Sequence, residues 1–134
     1  MKAVVCDASA LVALLLDEGR DGRWVADALA DRALLAPALL PFECANIVRR
    51  HELAGLITQD TAAQAHRDLV DLSVEMWPYE VLAARVWTLR ANLSVYDASY
   101  VAVAEAAGTD LVTLDGRLAR APGTHCRIRT PPDC

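Results

Sequence analysis

Residues 2–16 have the sequence KAVVCDASALVALLL and contain the clearest strand-to-helix transition of the chain. Residues 2–6 form a short β-branched and apolar run, which predicts a strand, and residues 9–16 predict a helix. Asp7 or Ser9 lies where the cap of that helix is expected. The carboxylate of Asp7 therefore stands where a strand ends and a helix begins.

The same alternation continues along the chain. Further strands are predicted at residues 33–36, 74–77 and 111–114, with an edge strand at 126–129. Helices are predicted at residues 23–30, 41–53, 80–92 and 98–107, and one capped by Asp60 or Thr61 reaches residue 72; a short helix follows the Asp115–Gly116 turn. This alternation predicts an α/β fold with a central, mainly parallel sheet covered by helices. No linker, repeat or low-complexity tract interrupts the pattern, so we expect residues 1–134 to form a single domain.

The composition favours a folded chain with an acidic balance. Hydrophobic residues make up 54% and charged residues 23%, and the formal net charge is -5. Net acidity disfavours a general nucleic-acid binder, but a nuclease can combine catalytic acids in a pocket with basic residues elsewhere. The basic residues are twelve Arg and one Lys, and Arg is suited to bidentate contacts with phosphate.

The apolar start of the chain resembles an export signal, but Asp7 interrupts it, and a carboxylate is poorly tolerated there. No other segment approaches the roughly 20 apolar residues that a membrane span needs. A cytoplasmic protein without a membrane segment is therefore expected. Cys6 and Cys44 are predicted to be buried thiols, and a disulfide between Cys126 and Cys134 is disfavoured in the cytosol.

Four carboxylates interrupt apolar sequence: Asp7, Glu43, Asp97 and Asp115. Asp7 and Asp115 follow the ends of predicted strands, whereas Glu43 and Asp97 lie in or just before the first turn of a helix. Ligands of open parallel sheets collect at the carboxyl ends of the strands, where helix N-termini also arrive. We therefore expect the four acids to share one edge of the sheet, where a hard divalent metal would offset their repulsion.

Each acid also has a simpler explanation when it is considered alone. Asp7 and Asp97 can cap the helices that follow them. Asp115 precedes a glycine, and Asp–Gly is an ordinary turn dipeptide. The case for one site depends on all four acids standing at equivalent positions.

Glu43 is harder to explain because its neighbours are largely apolar. Helical spacing places Asn46 and then Arg50 on the same face as Glu43. This polar face of the helix is either solvated or turned towards a site. In the second case Asn46 supports the acid and Arg50 contacts a phosphate. Ser9 and Thr113 each lie two residues from an Asp, where their hydroxyls either bind a carboxylate or cap the local backbone.

The segments DASALVALL, PFECANIVRR, DASYVAVA and LVTLDGRLA, in this order, resemble the PIN-domain nucleases. The length and order of the chain resemble the VapC-type toxins of bacterial toxin–antitoxin pairs, and the resemblance covers essentially the whole chain. It implies a three-layer α/β/α sandwich, RNA cleavage with Mg²⁺ or Mn²⁺, a homodimer, and inhibition by a VapB-type antitoxin.

Residue by residue, the resemblance assigns the catalytic and metal-binding acids to Asp7, Glu43, Asp97 and Asp115. It assigns the supporting positions to Ser9, Asn46 and Thr113. The side chains expected to contact the RNA backbone are Arg49, Arg50 and Arg117, unless they are merely solvated surface charges. Phe42 and Cys44, on either side of Glu43, are less typical of the family but remove no ligand.

The implied mechanism is metal-assisted hydrolysis that leaves a 5′-phosphate. Asp7 and Asp97 are expected nearest the metal, and Glu43 and Asp115 to act through water or a second ion. One alternative is a non-catalytic module whose acidic pocket receives an Arg-rich peptide. A phosphatase with Asp7 as nucleophile is less consistent, because Ser9 stands where a second Asp is usual.

Overall fold

The computed structural model describes residues 2–132, so Cys134, the partner considered for Cys126, lies outside the described residues. Its sheet has the strands β1 (Ala3–Cys6), β2 (Ala33–Pro37), β3 (Val74–Trp77), β4 (Leu111–Val112) and β5 (Ile128–Arg129). Their order is β3-β2-β1-β4-β5, and every pairing is parallel. The predicted parallel sheet is confirmed.

The helices are α1 (Ala8–Leu16), α2 (Arg20–Leu29), α3 (Leu40–Leu53), α4 (Gln59–Asp71), α5 (Tyr79–Thr88), α6 (Val95–Ala107) and α7 (Gly116–Ala119). α6 packs on β1, β2 and β4 and against α5, whereas α1 packs with α2, α3 and α4. The result is a three-layer α/β/α sandwich, as expected. Within residues 2–132, no helix is long and apolar enough to cross a bilayer.

The strand order places a crevice between β1 and β4. The chain moves from β1 towards β2 and β3 on one side, and returns to β4 and β5 on the other. Cys6 pairs with Val112, and the Asp7 backbone N–H donates to the Val112 carbonyl across 3.1 Å. The residues after β1 and β4 therefore meet at the carboxyl edge of the sheet, at a topological switch point of the kind where α/β folds bind ligands.

The core beneath this edge is aliphatic, with Leu11, Val101 and Val103 fully or almost fully buried. Cys6 and Cys44 are buried free thiols, as predicted. Burial raises the pKa of the Cys44 thiol to about 12, so this group stays protonated and unreactive at neutral pH.

Several boundaries differ from the predicted ones. α4 is capped by Thr58, whose hydroxyl oxygen accepts from the Thr61 N–H, rather than by Asp60 or Thr61. α2 begins at Arg20, directly after Gly19, and not at residue 23. α5 ends at Thr88 rather than at residue 92. β4 pairs over only two residues, and its predicted last two form the turn into α7.

Candidate active site

Asp7 is the most enclosed acid of the site, with 6% of the residue exposed. Its Oδ1 accepts from the Ser9 hydroxyl at 2.7 Å and from the Ala10 N–H at 3.0 Å, and its Oδ2 accepts from the Thr113 hydroxyl. Burial nevertheless raises the pKa of Asp7, and these hydrogen bonds offset only part of that effect. Asp7 caps α1, which agrees with its simpler explanation, but its second oxygen accepts from Thr113, directly after β4.

Ser9 and Thr113 connect Asp7 to the chain that leaves β4. The Ser9 hydroxyl oxygen accepts from the Leu114 N–H at 3.2 Å, and the Thr113 hydroxyl oxygen accepts from the Asp115 N–H at 2.9 Å. Each hydroxyl therefore donates to Asp7 and accepts from the backbone beside Asp115. This network holds the ends of β1 and β4 together.

Glu43 lies in the first turn of α3 and is partly buried. Its Oε1 accepts from the Tyr100 hydroxyl of α6 at 2.6 Å. Burial raises the pKa of Glu43, the Tyr100 hydrogen bond opposes that change, and the charges of Asp97 and Asp7 add to it. Glu43 is therefore close enough to both acids for their charges to act on it.

Asp97 occupies the first turn of α6, whose cap is Ser94, so the suggestion that Asp97 caps this helix is wrong. The Ser94 hydroxyl oxygen accepts from the Asp97 N–H at 3.1 Å. Burial raises the pKa of Asp97, and the charge of Asp115 raises it further. The charge of Arg117 and a hydrogen bond from Ser94 to the Asp97 side chain act against this rise in pKa.

Asp115 caps α7 and differs electrostatically from the other three acids. Its Oδ1 accepts from the Arg117 N–H at 2.9 Å, and its Oδ2 lies 3.3 Å from the Arg117 guanidinium. Partial burial raises the pKa of Asp115, but these hydrogen bonds and the Arg117 charge outweigh it and lower the pKa overall. Asp115 is thus the one acid of the four that forms a salt bridge within the described residues.

The charges of the four acids act on one another in a chain: Asp7 with Asp97, Glu43 with both, and Asp97 with Asp115. Within residues 2–132, however, no three His, Cys, Asp or Glu side chains converge into a ready-made metal cluster. Mg²⁺ does not need a compact cluster, because it keeps several waters and takes only one or two carboxylates directly. The donor set therefore fits a hydrated hard cation.

The other predicted side chains lie at the edges of this site. Asn46 is exposed and is not the hydrogen-bond donor to Glu43. Arg50 lines a groove of about 520 Å³ that also reaches Ser9. Arg49 points instead into a depression between α3 and α4. Arg50 therefore shares a cavity with Ser9, a residue of the acid network.

Tyr100 is a residue of the site that the sequence patterns did not indicate. Its side chain is 1% exposed, and it stands in the almost wholly apolar helix α6, where an aromatic residue has the appearance of core. Its position three residues after Asp97 is the one local signal, because i and i+3 share a helix face. A tyrosine on the face of a site acid is a candidate donor to that site.

Comparison with known proteins identifies the family of the chain. The model of the PIN domain family matches residues 4–123. Ribonuclease VapC9 of Mycobacterium tuberculosis is 39% identical over 129 residues, which cover 96% of this chain and 98% of that protein. Ribonuclease VapC12 of the same species is 34% identical over 125 residues, covering 93% and 96%.

Solved structures share the fold. VapC20 of Mycobacterium tuberculosis, described as a Sarcin-Ricin loop cleaving toxin, has a TM-score of 0.64 at 16% identity and covers 92% of this chain and 97% of that one. VapBC2 from Rickettsia felis, bound to a DNA fragment from its promoter, has a TM-score of 0.67 at 13% identity, covering 96% and 98%. The chain therefore belongs to the PIN-domain family, among its VapC-type ribonucleases.

Proposed function

We propose that residues 1–134 form one PIN domain that acts as the metal-dependent endoribonuclease toxin of a toxin–antitoxin pair. The observation that carries this proposal is the placement of Asp7. This buried carboxylate is held by three donors at the carboxyl ends of β1 and β4, and the charge of Asp97 acts on it. The relatives named ribonucleases supply the substrate class.

Asp7 and Asp97 would hold Mg²⁺ or Mn²⁺ directly, and Glu43 and Asp115 would hold its waters. When bound, such an ion would supply charge neutralisation at the phosphoryl oxygen and a nucleophile near neutral pH. Glu43 suits the role of proton acceptor for the attacking water, since burial raises its pKa towards neutrality. Tyr100 fixes the carboxylate in position for that role.

Arg50 and Arg117 are proposed to bind the RNA backbone on two sides of the acids. Arg50 lies in the groove that reaches Ser9, and Arg117 lies beside Asp115. Such contacts position a nucleic acid but carry no sequence information directly. Arg49 faces the α3–α4 depression, so it would contact only RNA that extends beyond α3.

A VapB-type antitoxin is the proposed inhibitor. The groove between α1, α3 and residues 56–57 is mainly apolar, with Val12, Ile47, Leu56 and Ile57 in its lining, and one end reaches Ser9 beside Asp7. An apolar antitoxin segment suits this groove, and an Arg at its end would reach the acids. The similarity to a solved VapBC assembly supports this partner.

A homodimer is proposed through a second apolar surface at the start of α5 and α6. Tyr79, Val95 and Tyr96 are exposed there, and together with Leu39 and Trp77 they line a shallow pocket. Exposed apolar patches of this kind mark interaction surfaces. Light scattering on the purified chain and on a Tyr79→Arg variant tests this assembly.

The decisive experiment is RNA cleavage by purified wild-type, Asp7→Asn and Asp97→Asn chains, each with Mn²⁺ or with EDTA. Asp27→Asn is the matched control, because Asp27 is an exposed acid of α2. We expect cleavage that leaves 5′-phosphate ends, is lost with EDTA and in both site variants, and persists in the control.

Cleavage that survives EDTA or both substitutions would contradict the proposal. Mn²⁺-independent binding of an Arg-rich peptide without any cleavage would instead identify a non-catalytic binding module.

A further inference from the structure

Arg117 places a cation inside the acidic site. It is the second residue of α7, its side chain is 82% exposed, and its guanidinium lies 3.3 Å from Asp115 Oδ2. Its backbone N–H occupies the other oxygen, Oδ1, at 2.9 Å. Both oxygens of one proposed metal-holding carboxylate are thus engaged by the same residue.

The charge of Arg117 also reaches the neighbouring acid. Asp97 and Asp115 both lie within range of this charge, so the three groups form one electrostatic cluster. A divalent ion that is held by Asp97 and whose waters are held by Asp115 would meet this positive charge at short range. Two cations that share one carboxylate repel each other, so each weakens the binding of the other.

The contact between Arg117 and Asp115 is also easily broken. Within the described residues, the Arg117 guanidinium makes no hydrogen bond other than the one to Asp115. An exposed ion pair of this kind is worth only about 0–1 kcal/mol in general. The side chain can therefore leave Asp115 at small cost and turn towards solvent or an RNA phosphate.

The geometry points to Arg117 as a built-in counter-cation that competes with the divalent metal for Asp115 and thereby limits the metal affinity of the site. This inference rests on the proposed function, because it assumes a metal among the four acids. It gives Arg117 a regulatory role, because the chain binds the metal with lower affinity than the four carboxylates would without Arg117. When RNA is present, the phosphate attracts the guanidinium away from Asp115, so metal and substrate bind more tightly together than separately.

The test is a Mn²⁺ titration of the RNA-free chain, followed by the electron paramagnetic resonance signal of free aqueous Mn²⁺. Arg117→Gln removes the charge and Arg117→Lys keeps it. Arg120→Gln is the matched control, since Arg120 is the exposed C-cap residue of the same short helix and forms no salt bridge within residues 2–132.

We expect Arg117→Gln to lower the Kd for Mn²⁺ roughly three- to tenfold at low salt, the size expected for removing one nearby exposed charge. Arg117→Lys stays closer to wild type, and Arg120→Gln stays within about twofold of it. At high salt the gain in Arg117→Gln shrinks, because exposed charges are screened.

An unchanged or weaker Mn²⁺ affinity in Arg117→Gln overturns the inference, and so does an equal gain in Arg120→Gln, which would reflect net charge alone. These outcomes leave the proposed function standing if wild type binds Mn²⁺ and Asp7→Asn does not. If wild type itself binds no Mn²⁺, the metal-dependent function fails, and the inference fails with it.

Discussion

The buried hydroxyl of Tyr100 donates a hydrogen bond to the Glu43 carboxylate across 2.6 Å and joins α6 to α3 at the candidate active site. Burial, together with this hydrogen bond, raises the pKa of Tyr100 far above its ordinary value. The phenol therefore stays protonated and remains a donor at neutral pH. Tyr100 thus favours the ionised form of Glu43 in a place where burial opposes it.

Tyr100→Phe keeps the shape of this side chain and removes the donor. We expect the pKa of Glu43 to rise further, because the interaction that lowers it is lost. Cleavage near pH 7 should fall about 10- to 100-fold, as is typical when a group that orients a metal-site ligand is removed. Part of the loss should be recovered at higher pH. The measurement is the pH profile of kcat/KM.

The control is a double-mutant cycle with Glu43→Gln. If Tyr100 acts through Glu43, the double variant should be little worse than Glu43→Gln alone, because the two residues form one unit. Additive losses, or a Tyr100→Phe profile that is lowered but not displaced along the pH axis, would indicate a packing role only.

Thr113 provides a second prediction, on stability. Its fully buried hydroxyl donates to Asp7 and accepts from the Asp115 N–H. Thr113→Val leaves both groups without this partner, so the free energy of unfolding should fall by about 1–3 kcal/mol. Urea denaturation in EDTA measures this change. Thr113→Ser is the matched control, and equal stability of the Val and Ser variants would argue against the hydroxyl's importance.

The fold was largely predictable because its strands are short apolar runs that alternate with helical patterns. Residues 74–77 of β3, for example, were predicted with the observed boundaries. The strand order was not predictable, because the pairing of β1 with β4 joins segments more than one hundred residues apart. The start of α6 was also mistaken, since an Asp and a Ser are both good caps and only the backbone shows that Ser94 is the one used.

The four acids of the candidate site could be proposed from the sequence, and so could the hydroxyls of Ser9 and Thr113 that donate to Asp7, but the donor to Glu43 could not. Helix starts and strand ends indicated one edge of the sheet for Asp7, Glu43, Asp97 and Asp115. Helical spacing then suggested Asn46 as the support for Glu43, whereas the donor is Tyr100, 57 residues away. Periodicity gives the face of a helix on which a side chain lies, but not the element that packs across from it.

Replacing Asp97 is predicted to stabilise the metal-free chain but to remove the stabilisation that a bound metal gives. Its pKa is raised first by burial and then by Asp115, so without metal the folded chain binds this proton more readily than the unfolded chain does. Ionised Asp97 therefore lowers the free energy of unfolding when the pH is above its pKa in the folded chain. This destabilisation disappears as the pH falls towards its pKa in the unfolded chain, about 3.9. Asp97→Asn should raise the Tm in EDTA at pH 7, by about 2 °C for a change of half a kcal/mol.

Thermal unfolding with EDTA and with Mn²⁺ tests this prediction. The advantage of Asp97→Asn should shrink as the pH is lowered, and Mn²⁺ should reverse the order, because only wild type gains stability from the ion. Asp27→Asn should show neither effect. A lower Tm for Asp97→Asn in EDTA would mean that the carboxylate stabilises the fold by itself.

Glu105 has no proposed role in cleavage, and its contribution to stability is expected to have the opposite pH dependence. Its carboxylate accepts from Arg85 Nε at 2.6 Å and from the His125 N–H at 2.6 Å, while Arg85 also donates to the Gly123 carbonyl at 2.7 Å. Burial raises the pKa of Glu105, but the Arg85 and His125 hydrogen bonds outweigh it and lower the pKa overall. This contribution to stability is present above the unfolded pKa and is lost as the pH falls through the folded one.

Glu105→Gln should therefore lower the free energy of unfolding by about 1–3 kcal/mol at pH 7, since the half-buried Arg85 loses its charged partner. The difference from wild type should narrow below about pH 4. Urea denaturation at both pH values measures the effect, and Glu80→Gln, at an exposed acid of α5, should leave stability nearly unchanged. Because this cluster ties residues 123–125 to α5 and α6 and does not touch the four acids, RNA cleavage per folded molecule should stay at the wild-type rate. A cleavage defect in fully folded Glu105→Gln would show that the cluster also positions α7 and its acid.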